Sequence, residues 1–263
     1  MRLRRRPFPD GWRGILRRNL PYLERLSDRD IEELQGHIQV FLAEKSFEGC
    51  GGLEMSDEIR VTIAAQACML LLHRDADCYP TLRSILVYPH AYAAWETKRL
   101  PDGTVLEGPS GRLGESWYRG SVVLSWEDVR TGAADIHDGH NVVFHEFAHQ
   151  LDSESGANEG APRLDSRTAH VAWARVLGHE YRALVDEVAK HHKTVLDRYA
   201  ATSPAEFFAV ATECFFEKPV QLRQRHPDLY GQLSAFYRQD PATPGEGSAS
   251  VTPQHDPPPQ GPK

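Results

Sequence analysis

One stretch sets the terms for the rest of the chain: Val142-Val143-Phe144-His145-Glu146-Phe147-Ala148-His149-Gln150-Leu151-Asp152. Val142, Val143, Phe144, Phe147 and Leu151 make it apolar, which predicts a largely buried helix. Inside it sits a His-Glu-x-x-His pattern. Residues four apart on a helix project about 40° from one another, so the imidazoles of His145 and His149 reach a common point. Glu146 projects about 60° beyond His149, beside that point. Two imidazoles with a flanking carboxylate suit a metal ion and its water, the carboxylate acting as base. The bland reading is an amphipathic helix that happens to carry two of the chain's 13 histidines. The apolar flanks weigh against it, because polar groups on a buried helix are costly without partners.

A hydrolytic zinc site takes three protein ligands and keeps one position open. The compact extension of the pattern, a glycine three residues after the second histidine and a histidine six after it, is absent. Asp152 and Ser155 stand at those places. The third ligand must therefore come from a later element. Glu206 and Glu213 are seven apart and share a face of the helix that Ser203 opens. Ser203-Pro204-Ala205-Glu206 also reads as a capping box, in which Glu206 only receives a backbone N–H. Position alone leaves both carboxylates open, with Glu206 ahead. His137 and His140 precede the helix and are not expected as ligands.

The bulk numbers admit a packed enzyme and exclude several other classes. With 263 residues, 40% hydrophobic, the chain can bury one large core or two small ones. A net charge of −7 argues against nucleic acid as the main partner. Arg2, Arg4, Arg5 and Arg6 crowd the N-terminus, but Pro7, Pro9, Asp10 and Gly11 follow where a signal peptide would be apolar. That tip is read as solvated. No apolar run approaches the roughly 20 residues that span a bilayer. Cys50, Cys68, Cys78 and Cys214 form no Cys-x-x-Cys pair, and Cys68 and Cys214 sit in apolar helical patterns. A reduced, cytoplasmic protein is expected.

Ser27 caps a helix, with Asp30 at its third position, that runs to about Lys45; Gly49, Gly51 and Gly52 then break the chain. Ser56 caps a second helix that continues to His73. Strands are expected over 83–88 and 120–126, a turn at Pro101-Asp102-Gly103, and a loop over 108–114 that is a candidate gate. Residues 132–139 read as a glycine-bounded connection. Further helices run from Ser166 to His191, from Ser203 to Pro219, and from Pro227 to Arg238. From Pro241 to Lys263 there are seven prolines and three glycines, so 242–263 is expected to be a disordered tail.

The two site segments, His145-Glu-Phe-Ala-His-Gln-Leu-Asp152 and Tyr199…Ser-Pro-Ala-Glu206-Phe-Phe-Ala-Val-Ala-Thr-Glu213, resemble the Mlc titration factor A family of bacterial zinc peptidases. These are gluzincins, related at the catalytic core to the anthrax lethal factor protease. Gly120-Ser-Val-Val-Leu-Ser-Trp126 and Phe236-Tyr-Arg-Gln-Asp-Pro241 match as well, so the resemblance runs from about Phe8 to Pro241. It implies that His145, His149 and Glu206 ligate one zinc ion, that Glu146 is the general base and acid, and that Tyr199 donates to the oxyanion. Glu213 becomes a carboxylate behind the ligands. Asp152, three residues after His149, is expected to accept an N–H from a ligand imidazole.

The expected fold is then a single α+β, zincin-like domain over 1–241 with a small mixed sheet. The strand segment Val122 to Leu124 is either a sheet edge that pairs with an extended peptide or an interior strand. The implied function is aminopeptidase-like hydrolysis of short peptides. The resemblance also implies an alternative, sequestration of a transcriptional repressor of sugar uptake, the glucose repressor Mlc. A zinc hydrolase of a non-peptide amide or ester is the third reading.

Overall fold

The computed structural model describes residues 3–74, 77–91, 94–99, 105–110, 120–156 and 158–243. Its first long element, α1 (Asp10–Asn19), was not expected. Asp10 in its first turn and Arg17 and Arg18 in its last complement the helix dipole, and Ile15 and Leu16 bury its inner side. Ahead of it, Leu3–Arg5 forms a 3-10 turn whose Arg4 passes close to Gly36, while Arg4 and Arg6 stay exposed. Then α2 (Asp28–Glu44) opens with the expected capping box between Ser27 and Asp30. Ser56 caps α3 (Asp57–Met69), which is buried along nearly its whole length and forms the centre of the molecule.

The sheet corrects two expectations. A short strand, β1 (Ser46–Gly49), follows α2 where only a glycine break was read. It pairs with β2 (Ser84–Tyr88), and the order of the three-stranded sheet is β1-β2-β5. Every pairing in it is parallel, so the sheet is not mixed. The crossover through α3 carries the chain back to start β2 in the same direction as β1. Among the described residues, antiparallel pairing is confined to a separate hairpin, β3 (Ala94–Arg99) with β4 (Val105–Ser110). Gly108 lies within β4 rather than in a loop; the turn at 101–103 and residues 111–119 lie outside the described residues. The last strand of the sheet, β5 (Ser121–Ser125), stands at the end of the strand order among the described residues, with Val122 to Ser125 buried.

Residues 132–139 are not a simple connection either. Trp126–Ala134 forms α4, capped by Ser125, and Gly132 lies inside it. A Cβ there would meet Asn141 Cα and the His140 carbonyl oxygen, each at 3.1 Å. That glycine is a close approach between elements, not a helix break.

The central helix α5 (Val142–Ser153) is held on two sides. Phe147 packs against Phe41 of α2 and Tyr79, with ring centroids 5.7 and 4.8 Å away. Phe144 meets Tyr22 at 5.4 Å and Phe216 at 5.0 Å. Each buried aromatic contributes roughly 1.5–3 kcal/mol. Behind α5 run α6 (Arg167–Ala189), capped by Ser166, and α7 (Pro204–Glu217), capped by Ser203. Pro219 ends α7 and opens α8 (Pro219–Arg225); α9 (Pro227–Tyr237) closes the bundle. Ala242, expected at the start of the tail, is buried, and its N–H donates to the Tyr230 hydroxyl. Residues 244–263 lie outside the described residues. All four cysteines are free thiols. Among the described residues no helix is long and apolar enough to cross a membrane.

Candidate metal centre

Asn141 fixes where α5 begins. Its side-chain oxygen accepts the Phe144 N–H at 3.0 Å, while its amide nitrogen donates to Gln66 Oε1 and the Gly132 carbonyl. One turn on, His145 and His149 project to the same side, with their Nε2 atoms 3.3 Å apart. Ser203 does the corresponding work for α7. Its hydroxyl accepts the Glu206 N–H at 3.2 Å and sets Glu206 in the first helical turn. The Glu206 carboxylate itself turns to the histidines: Oε2 is 3.0 Å from His145 Nε2 and 3.4 Å from His149 Nε2.

These three donor atoms lie within 4.8 Å of one another. Glu206 Oε2 is buried, and despite its short distances to both imidazoles it makes no properly directed hydrogen bond. Three converging donors, one of them an orphaned buried oxygen, fit a divalent cation of the zinc type. Glu213, one turn short of the end of α7, lies behind this point. Its Oε1 is 2.7 Å from His145 Nδ1, and its Oε2 accepts the Asn141 N–H at 2.6 Å. A carboxylate on Nδ1 fixes the ring tautomer and leaves Nε2 free to coordinate.

The surroundings also fix protonation. Burial alone would lower the His145 pKa, but the carboxylates of Glu206 and Glu213, with Glu146 beside them, outweigh it and hold it at about 10. Glu206 is held well below its usual range; burial opposes this, but the two histidines prevail. Glu146 is only 4% exposed, and its pKa is raised, by burial first, against the pull of His145 and His149.

Tyr199 sits in a 3-10 turn, Arg198–Ala201, where the Asp197 carboxylate accepts the Tyr199 N–H at 2.7 Å. The residue is 46% exposed and its ring centroid is 6.1 Å from that of His145. His137 faces Arg25 instead, through Nδ1 at 3.3 Å. Asp152 departs from expectation. Its oxygens accept the N–H groups of Gly160 and Ala161, at 2.7 and 2.8 Å, rather than an imidazole N–H. Asp152 leaves its helix on the loop side, and it is Glu213, from the neighbouring helix, that reaches a ligand-face imidazole.

A second group of metal-type side chains, Asp30, Glu33 and His73, has a different geometry. His73 Nε2 faces Asp30 at 3.2 Å and Nδ1 faces Glu33 at 3.8 Å. Opposite ring nitrogens on separate carboxylates make an ion-paired imidazole, not a convergent donor set. Asn141 and Gln66 were missed from sequence. The only local signal was an asparagine immediately before an apolar run.

The family model described as glucose-regulated metallo-peptidase M90 matches residues 1–238. An uncharacterized protein of Synechocystis sp. is 43% identical over 238 residues, covering 90% of this chain and 86% of its own. A protein of Serratia proteamaculans named Mlc titration factor A is 34% identical over 225 residues, covering 84% and 85%. One of the same name from Yersinia pestis is 32% identical over 226 residues, covering 85% and 83%.

Proposed function

The chain belongs to the glucose-regulated metallo-peptidase family M90, and on that premise we propose that it is a zinc-dependent peptidase of the gluzincin type. The observation that carries this reading is the convergence of His145 Nε2, His149 Nε2 and Glu206 Oε2 with a buried glutamate next in sequence to the first histidine. A structural role for the histidines would not call for Glu146 beside them.

When bound, zinc lowers the pKa of a coordinated water toward about 7 and polarises a carbonyl. His145, His149 and Glu206 would hold it. Glu213 keeps the His145 ring in the ligating tautomer. Glu146 removes a proton from the attacking water and returns it to the leaving amine; burial raises its pKa toward that task. The Tyr199 hydroxyl, on the exposed lip, donates to the oxygen that becomes negative. Cleavage is proposed to be aminopeptidase-like, in the cytoplasm, where free thiols are stable.

A second reading is favoured by the name shared by two relatives, Mlc titration factor A. On that reading the chain also captures a transcriptional repressor of the Mlc type. Metal analysis with a peptide-library digest tests the first reading; failure to cleave any peptide with zinc bound overturns it. Capture of purified repressor by the Glu146→Gln protein tests the second, and loss of capture with loss of catalysis would tie the two activities together.

A further inference from the structure

The residues that carry the cation are split between α5 and α7, and something must fix the distance between them. The structure places one connection there. Asp152, three residues after His149 and fully buried, accepts two backbone N–H groups from the following loop, those of Gly160 and Ala161. Gly160 has φ +75°, a conformation that favours glycine, and is itself buried. A Cβ on Gly160 would overlap the Pro204 carbonyl oxygen and come within 2.8 Å of its carbon. Pro204 is the first residue of α7, two before Glu206. From the far side, Trp173 Nε1 of α6 donates to the Gly160 carbonyl at 2.9 Å. The Trp173 ring also packs edge-on against Phe208 of α7, with centroids 5.6 Å apart.

We propose that Asp152, Gly160 and Trp173 act as a clamp that positions Glu206 against His145 and His149. The carboxylate end of the clamp is rigidly tied to the helix that bears both histidines. The glycine end touches the residue from which α7 starts. Trp173 closes it by holding the Gly160 carbonyl and the first apolar turn of α7 together. These are positioning residues: none of them faces the donor point, and each acts through where α7 begins. The bond pattern also explains why a buried carboxylate is tolerated at Asp152. Two backbone N–H donors satisfy it, which is the usual condition for burying such a group.

The inference rests on the reading of His145, His149 and Glu206 as ligands. It is tested by zinc affinity, measured by chelator competition on folded apo-protein, with urea unfolding of the same apo-proteins alongside. Gly160→Ala and Asp152→Asn are expected to weaken zinc roughly 10- to 100-fold, as is usual when groups supporting metal ligands are lost. Trp173→Phe keeps the ring contacts, removes only the N–H donor, and is expected to weaken zinc by a smaller factor. Cobalt in place of zinc should show an altered visible spectrum in all three. Val176→Ala, a buried change on α6 outside the clamp, should lower apo stability and leave affinity unchanged. Wild-type affinity and cobalt spectra in the clamp variants, with only stability reduced, would overturn the proposal. If Gly160→Ala or Asp152→Asn does not fold, Trp173→Phe decides alone by the same criterion. Glu206→Gln separates the two levels. Unchanged zinc binding there overturns the ligand reading, whereas loss there with wild-type binding in the clamp variants overturns the clamp only.

Discussion

Glu213 Oε1 stands 2.7 Å from His145 Nδ1 although the two residues are 68 positions apart. The same carboxylate takes the Asn141 N–H through its other oxygen. One side chain of α7 therefore joins the first histidine to the cap of its own helix. Glu213→Gln retains the shape but not the charge. It is expected to keep the fold and weaken zinc by about 10- to 100-fold, as measured by chelator competition. An affinity equal to that of the parent would show that the carboxylate is only structural.

Asn141 joins three elements, so its loss should be felt in stability. Asn141→Ala removes the cap of α5 and leaves Gln66 Oε1 buried without its donor. The expected cost is about 2–4 kcal/mol, adding a lost cap to an unmade buried hydrogen bond. Asn141→Asp keeps the capping oxygen and should unfold at a urea concentration between those of alanine and parent. Equal midpoints for alanine and parent would contradict this.

Glu217 gives a pH dependence that can be assigned a sign. Burial pushes its carboxyl from an ordinary 4.5 up to about 8, against the hydrogen bond that the Tyr22 hydroxyl donates to it. Between those values the folded chain holds a proton that the unfolded chain has released. Stability attributable to this group therefore falls as pH rises from 4.5 to 8, by at most about 1.4 kcal/mol per pH unit. Glu217→Gln should flatten this slope and be more stable than the parent at pH 8 by roughly 1–3 kcal/mol. Urea unfolding at several pH values decides; parallel curves for both proteins would rule the effect out.

Tyr199→Phe removes a hydroxyl and leaves a half-exposed ring in place. Zinc affinity should be unchanged, while kcat for peptide hydrolysis falls about 100-fold, the usual cost of one oxyanion donor. A changed zinc affinity with an unchanged kcat would move Tyr199 out of the reacting geometry.

What was legible in the sequence was local. Ser27, Ser56 and Ser203 cap helices as read, and Ser166, read only as a helix start, caps one too, because a cap is settled by a residue and its third successor. Glu206 was placed in the first turn of its helix for the same reason. What was not legible depends on other elements. Strand β1 is four residues long and half exposed, too short to show a period, and it is a strand because β2 lies beside it. Gly132 was read as the start of a connection, but it lies inside α4, at the point where that helix approaches Asn141. Asp152 and Glu213 were both read as carboxylates behind the ligands. The position of each along its own helix could not say that Asp152 turns to the loop while Glu213 crosses from the next helix.

The central claim is that Glu146 is the base of a metal-dependent peptidase. Its most direct test is the rate of peptide hydrolysis by the Glu146→Gln protein, loaded with zinc and compared with the parent at equal metal content. The account predicts zinc bound as in the parent and hydrolysis reduced by at least 100-fold, the scale of a lost general base. Hydrolysis at the parent rate with zinc in place would contradict it.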